Sequence, residues 1–242
     1  MFISHLALLA VTLIPCWQGF GPVITQFDTE ENEVWLTIDD GPHPDTTPQV
    51  LALLRRYQAH ATFFLIGEQI ARYPELAQAI VEAGHTIGNH TQRHQKFDFW
   101  RFLPDQLARE IDAFEVTAAH ANLPPSDLFR APAGMKNPFL HPILAARGFH
   151  LVGWSSRAYD TQLKDPDQIV ERIMRSLSPG CIILLHEGAC SDVRLRALER
   201  LLQELTKRNF RVVSSPPIKL LAGKVPITRA RPIDRSASRI AA

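Results

Sequence analysis

The stretch VWLTIDDGP, residues 34–42, joins a short apolar run to two acidic residues and a Gly-Pro turn signal. The run is rich in β-branched and aromatic residues, which favours a β-strand. It is apolar almost throughout, and this is typical of a parallel strand that is buried on both faces. We therefore expect Asp39 and Asp40 to lie at the carboxyl end of a buried parallel strand.

Six further runs of this kind follow along the 242-residue chain. They are residues 61–66, 85–88, 128–131, 149–154, 181–186 and 211–214. Segments with apolar residues at helical spacing lie between them, such as Leu107, Ile111 and Phe114. This alternation predicts an α/β protein, a distorted (β/α) barrel with about seven parallel strands.

The composition indicates an ordinary globular protein, with 45% hydrophobic and 21% charged residues. The net charge is +1, so there is no basic field and we expect no nucleic-acid partner. The cysteines are Cys16, Cys181 and Cys190. Their odd number and the lack of a CxxC pair exclude a disulfide framework and disfavour a thiolate zinc site. We expect Cys181 in the core and Cys190 in a loop.

The ends of the chain differ from its middle. Residues 2–14 form an apolar stretch of the length of a signal-peptide core, although no basic segment precedes it and no clean cleavage site follows it. We expect residues 1–30 to be an apolar leader or anchor, residues 31–215 to be the barrel domain, and residues 216–242 to be a loosely ordered tail rich in Pro, Arg and Ser. The leader predicts an exported or membrane-associated protein of the cell envelope.

Residues suited to chemistry follow the predicted strands, and parallel β/α folds carry their chemistry at the carboxyl ends of strands. Of the pair Asp39 and Asp40, one carboxylate could bind a metal and the other could act as a base, although a simple Asx turn is the alternative. His90 and His94 share a face if their segment is helical. Two imidazoles and one carboxylate form a common catalytic zinc set, whereas HxxxH alone also fits two surface histidines.

Three later strand ends carry further residues of interest. Arg130 could orient a carboxylate through a charge-assisted pair, or it could be a rim arginine before a turn. Trp154 could form an apolar wall against a sugar ring, or it could be a core residue. His186 ends the most apolar strand, where an imidazole is suited to general acid catalysis.

Taken in order, these stretches resemble the polysaccharide deacetylases of carbohydrate esterase family four, which share the nodulation-factor deacetylase homology domain. TIDDGP at 37–42, HTQRH at 90–94, RAPAG at 130–134 and LLH at 184–186 correspond to the family motifs T-F-D-D-G-P, H-[ST]-x-x-H, R-x-P-x-G and L-x-H. The resemblance spans about residues 34–213. It implies a distorted (β/α) barrel that removes N-acetyl groups from an amino-sugar polymer or oligomer, such as chitin-like chains, peptidoglycan or exopolysaccharide.

The resemblance also implies residue roles. Asp39 matches the catalytic base, while Asp40, His90 and His94 match the ligands of one divalent metal, which is zinc in most members. His186 matches the general acid.

The remaining implied roles concern the base and the substrate. Arg130 matches the arginine that pairs with the base. The backbone N–H of Ala133 is expected to help stabilise the oxyanion, and Trp154 and Asp160 are expected to belong to the substrate-binding part of the site.

The chain departs from the family pattern at the fourth motif, W-x-x-D-x-x-D-W. Arg157 replaces the first aspartate and Thr161 replaces the final tryptophan, while Asp160 is kept. Ala133 stands where the third motif usually has an aromatic residue. These changes predict a narrower or differently lined sugar groove, and they leave open how His186 is oriented.

Three other functions fit the same residues. An esterase for O-acetyl groups would use the same site on another substrate. A non-catalytic carbohydrate-binding protein would fit the altered fourth motif, although binding alone needs neither Asp39 nor His186. A structural zinc domain is disfavoured, because structural sites usually have four protein ligands and only three are visible here.

Overall fold

The computed structural model describes residues 10–188 and 192–216. The apolar start of the predicted leader, the predicted loop residue Cys190 and the predicted tail from residue 217 onward lie outside the described residues. No described helix is long and apolar enough to cross a membrane.

The described strands form one sheet in which every ladder is parallel. The strands are β1 (Glu33–Asp39), β2 (Thr62–Leu65), β3 (Thr86–Asn89), β4 (Leu128–Phe129), β5 (His150–Leu151), β6 (Ser156–Arg157), β7 (Cys181–His186) and β8 (Arg211–Val213). Their order is β5-β4-β3-β2-β1-β7-β6, with β8 beside β1. The predicted α/β class and distorted (β/α) barrel are confirmed. The short strand β6 is additional to the seven predicted strands.

Helices alternate with these strands as the sequence pattern predicts. They are α1 (Thr47–Arg56), α2 (Gly67–Arg72), α3 (Pro74–Glu82), α4 (Pro104–His120), α5 (Leu140–Arg147), α6 (Pro166–Arg175) and α7 (Asp192–Lys207). The stripe Leu107, Ile111 and Phe114 of α4 is buried, because one apolar face of the helix packs on the sheet.

The two faces of the sheet carry different cores, and this difference positions the site. Ile183 and Leu185 of β7 belong to the large core between the sheet and the helices, whereas Leu184 belongs to an inner cluster with Trp35 and Phe64. Because side chains alternate along a strand, the last residue of β7, His186, lies on the inner face. The strand ends of β1 and β7 are in register, so Asp39 and His186 are neighbours across the ladder.

The segment at residues 10–28, which falls within the predicted leader, packs against the barrel. Its Ile24 forms a parallel bridge with Val152, and Gln26 forms an antiparallel bridge with Cys181. Among the described residues no ladder joins β5 to β6, so this segment lies across the opening of the distorted barrel. Cys181 is fully buried, as predicted for a core residue.

Hydrogen bonds from Lys136, in the loop after β4, hold the same segment in place. Its side chain is only 1% exposed, and its ammonium group donates to the carbonyl oxygens of Ile14 at 2.7 Å and Pro15 at 2.9 Å. The Sγ of Cys16 donates to the carbonyl oxygen of Trp154 at 2.9 Å. A buried ammonium group needs such partners, because an unpaired buried charge costs several kcal/mol.

Replacing Lys136 with methionine is expected to lower the free energy of unfolding by about 1–2 kcal/mol, because two hydrogen bonds from a charged donor are lost. Urea denaturation measures the loss, and limited proteolysis is expected to cut first within residues 10–28. The control is Lys164→Met, which changes an exposed lysine. Equal stability of the two variants would show that the Lys136 contacts contribute nothing to the attachment of the segment.

Candidate active site

The first strand ends in two carboxylates that point in different directions. Asp39 is 3% exposed and faces the barrel interior at the end of β1. The backbone of Asp40 has a φ of 77°, in the left-handed region that few residues other than glycine adopt. The change of backbone direction brings both carboxylates to one cleft, which a regular strand would not allow.

Arg130 is fully buried and fixes Asp39 in place. Its Nη1 donates to Asp39 Oδ1 and to Thr37 Oγ1, both at 2.7 Å, and its Nη2 donates to the carbonyl oxygen of Gly153 at 2.8 Å. The guanidinium carbon lies 4.1 Å from the centre of the Phe64 ring. Burial lowers the pKa of Arg130, and the charge and hydrogen bond of Asp39 oppose that shift, so Asp39 stabilises the charged form of Arg130.

His90 and His94 come together through a turn, so the helical arrangement considered for this segment does not apply. Thr91 has a φ of 68° and His94 a φ of 51°, and the backbone N–H of His94 donates to Thr91 Oγ1 at 3.0 Å. The two imidazole rings lie 4.6 Å apart between centroids. The segment follows β3, and the backbone of its first histidine donates to the carbonyl oxygen of Leu65.

Asp40, His90 and His94 each offer one ligand atom, and these atoms lie within 4.8 Å of one another. Asp40 Oδ1 is 3.5 Å from His90 Nε2 and 3.3 Å from His94 Nε2. This carboxylate oxygen is buried and has no hydrogen-bond partner, as expected for an atom that binds a cation. His90 Nδ1 lies 2.8 Å from the carbonyl oxygen of Arg130, which fixes the tautomer and leaves Nε2 free to bind a metal.

The charge states also suit a divalent cation. Burial opposes ionisation of Asp40, but the neighbouring His90, followed by the charges of His94 and His186, holds the pKa of this carboxyl well below its usual range. Burial and the neighbouring His90 lower the pKa of His94 to about 4. Carboxylate and neutral imidazole are the forms that bind metals, so the charge states of Asp40 and His94 fit a divalent ion.

His186 is oriented by Asp160 despite the change at Arg157. Asp160 Oδ1 lies 2.9 Å from His186 Nδ1, and Oδ2 accepts the backbone N–H of the same histidine at 2.8 Å. Burial alone would lower the pKa of His186, but the hydrogen bond and charge of Asp160, followed by the charges of Asp39 and Asp40, raise it. The retained aspartate of the fourth motif therefore orients the histidine and contributes to its raised pKa.

The other predicted residues lie at the edge of this constellation. Trp154 is 7% exposed and belongs to the inner core, so little of its ring is left for a sugar. Ala133 is exposed in the loop after β4 and has a φ of 52°. Thr161 is exposed. A Cβ atom on the neighbouring Gly134 would lie 2.4 Å from Pro15, which explains why glycine is needed there.

Glu187 also lies in this region, although none of the sequence motifs includes it. It is 3% exposed and accepts hydrogen bonds from the hydroxyls of Thr46 and Thr47, so it ties the loop after β1 to the end of β7. Burial raises the pKa of Glu187 to about 7, the two threonines oppose the shift, and the charge of Asp40 adds to it. An acidic residue directly after the LLH motif was the signal that could have identified it.

The chain is similar to known carbohydrate deacetylases. The polysaccharide deacetylase family matches residues 26–152. A peptidoglycan-N-acetylglucosamine deacetylase from Bacillus cereus is 34% identical over 198 residues, which cover 80% of this chain and 91% of that protein. A chitooligosaccharide deacetylase from Bradyrhizobium is 34% identical over 202 residues, which cover 76% of this chain and 90% of the relative.

The solved structures include a CE4 family pseudoenzyme from Bacillus anthracis, which is 23% identical with a TM-score of 0.75 and covers 83% of this chain and 69% of its own. At this identity the likeness shows the fold alone. Because the family match covers more than half of the chain and relatives are 34% identical over three quarters of it, the chain belongs to the polysaccharide deacetylase family.

Proposed function

We propose that this protein is a metal-dependent hydrolase that removes N-acetyl groups from amino-sugar polymers or oligomers. The observation that carries the proposal is the placement of the Asp40, His90 and His94 cluster beside Asp39, whose Oδ2 lies 3.6 Å from His90 Nε2. His186 lies across the ladder from Asp39. A metal set, a base and an acid thus share one cleft.

Zinc is the proposed metal, since two imidazoles and one carboxylate are a common zinc set, and when bound it would act as a Lewis acid on the acetamide carbonyl. Asp39 accepts a proton from the attacking water, and Arg130 holds this carboxylate in its orientation. The backbone N–H of Ala133 is proposed to help stabilise the oxyanion.

His186 completes the reaction. Protonated Nε2 donates to the sugar nitrogen while the carbon–nitrogen bond breaks, and the products are acetate and a free amine. Asp160 binds Nδ1, which directs the other ring nitrogen to the substrate. Both proton-transfer groups are present, and this favours an enzyme over a non-catalytic binding protein of the same fold.

Acetate release from N-acetylglucosamine oligomers and from peptidoglycan, with added zinc and with a chelator, tests the proposal. We expect release from at least one of these substrates, loss of release on chelation and recovery with zinc. Acetylated xylan is included, because release from xylan alone would identify an O-acetyl esterase. No release from any substrate in the presence of zinc would overturn a catalytic function.

The apolar residues 2–14 and the N-acetylated carbohydrate substrate together support a location in the cell envelope, with membrane association through the N-terminus. Fractionation of cells that express the full chain tests this proposal, because the protein is then expected in the membrane or exported fraction.

A further inference from the structure

Arg157 carries a guanidinium group that forms no ion pair or hydrogen bond with any residue that the structure describes. Its Nε atom is buried without a hydrogen-bond partner, while the side chain as a whole is partly exposed. A guanidinium group has five N–H donors and is always charged in proteins. Buried donors are nearly always paired, so this unpaired Nε–H is a candidate contact for a ligand.

The strand register shows where this side chain points. Arg157 pairs with Leu184, and paired residues of parallel strands face the same side of a sheet. Leu184 belongs to the inner cluster of the barrel, and His186 follows two residues later on the same face. Ser156 faces the opposite side, where its hydroxyl lies 3.4 Å from the carbonyl oxygen of Ile173 in α6.

Two aromatic rings hold the guanidinium group. Its central carbon lies 5.6 Å from the ring centre of Trp154 and 4.6 Å from that of Tyr159. The ring of Trp154 also lies 5.7 Å from the guanidinium carbon of Arg130, which binds Asp39. The ring of Trp154 therefore contacts both Arg157 and Arg130, and Arg130 holds the proposed base Asp39. The cation–π contacts fix the orientation of the Arg157 guanidinium group and leave its N–H donors unoccupied.

We propose that Arg157 binds a carboxylate carried by the glycan, so that acidic N-acetylated glycans are preferred over neutral ones. This inference rests on the proposed function and names its substrate class. Paired N–H groups of a guanidinium match a carboxylate in geometry and charge.

The test compares one glycan in two forms. A peptidoglycan strand freed of its peptides carries a carboxylate on every second sugar, and methyl esterification removes the charge while keeping the sugars and acetamides. Acetate release gives the ratio of kcat/KM for the acid over the ester. Isothermal titration calorimetry with the same two glycans gives the ratio of affinities without any need for turnover.

We expect the full-length protein to prefer the acid by about tenfold, which corresponds to one charge-assisted pair of hydrogen bonds. Arg157→Gln is expected to bring both ratios close to one, and Arg157→Lys to retain part of the preference. The matched control is Arg172→Gln. Arg172 lies on the exposed side of α6, and its guanidinium group also contacts the ring of Tyr159. This variant removes a nearby charge and is expected to keep the wild-type ratio.

An unchanged ratio in Arg157→Gln, or no preference in the wild-type protein, would overturn the assignment. If the wild-type protein releases acetate without preference, only this inference fails. If it releases no acetate yet binds the acid more tightly through Arg157, the proposed function fails and the carboxylate site stands.

Discussion

Asp39→Asn is expected to lower kcat/KM for acetate release by about a hundredfold to ten-thousandfold, the range usual for loss of a general base. The amide has nearly the shape of the carboxylate but cannot accept the proton of the attacking water. Arg130 contacts Asp39 Oδ1, and the amide oxygen can still accept that hydrogen bond. The variant is therefore expected to fold and to retain the Asp40, His90 and His94 cluster.

Metal content, measured by mass spectrometry on the purified variant, distinguishes the loss of a general base from the loss of a metal ligand. Asp39→Asn is expected to bind as much zinc as the wild-type protein does. The control is Asp105→Asn, an equivalent change at an exposed aspartate in the first turn of α4, which is expected to keep full activity. A fully active Asp39→Asn enzyme would require another base, and a metal-free one would mean that Asp39 is itself a ligand.

The positions of the key side chains along the sheet could be predicted from the sequence. Continuous apolar runs such as VWLTI indicate parallel buried strands, and the residues directly after these runs must meet at one edge. On these grounds one site is expected to contain Asp39, Asp40, His90, Arg130 and His186, and the structure has them together. This prediction requires only the identity of the strands and their order along the chain, and both can be inferred from the pattern of apolar residues.

Backbone angles could not be predicted in this way. HxxxH spacing fits a helix, yet the structure joins His90 and His94 by a turn in which Thr91 and His94 have positive φ. The same holds for Asp40, whose φ of 77° brings its carboxylate beside that of the preceding residue. Apolar periodicity records which face is buried, and a single left-handed residue leaves no trace in it.

The apolar N-terminal segment was ambiguous for a different reason. Apolar residues favour lipid and a protein core alike, so hydropathy could not distinguish a leader from a segment that packs on the barrel. Within residues 10–28, the contacts that hold the segment on the barrel include those from Lys136, more than a hundred positions away. Long-range pairs of this kind have no local signal in one sequence.

His186→Ala is expected to lower kcat by about a hundredfold to ten-thousandfold, because the variant lacks the general acid. The raised pKa of His186 favours the protonated form, which is the form that donates to the leaving nitrogen. Activity is therefore expected to fall as the pH rises through the pKa of His186. The control, His120→Ala, removes an exposed histidine at the end of α4 and is expected to leave the profile unchanged.

Asp160→Asn tests the cause of that pKa. The amide can keep a hydrogen bond to His186 Nδ1 but lacks the negative charge that raises the pKa. Because a lower pKa means loss of the imidazolium at lower pH, the alkaline limb of the kcat profile is expected to move toward acid. A limb that stays in place in Asp160→Asn, while His186→Ala abolishes turnover, would assign the raised pKa to Asp39 and Asp40. A limb that moves toward alkali would contradict general acid catalysis by His186.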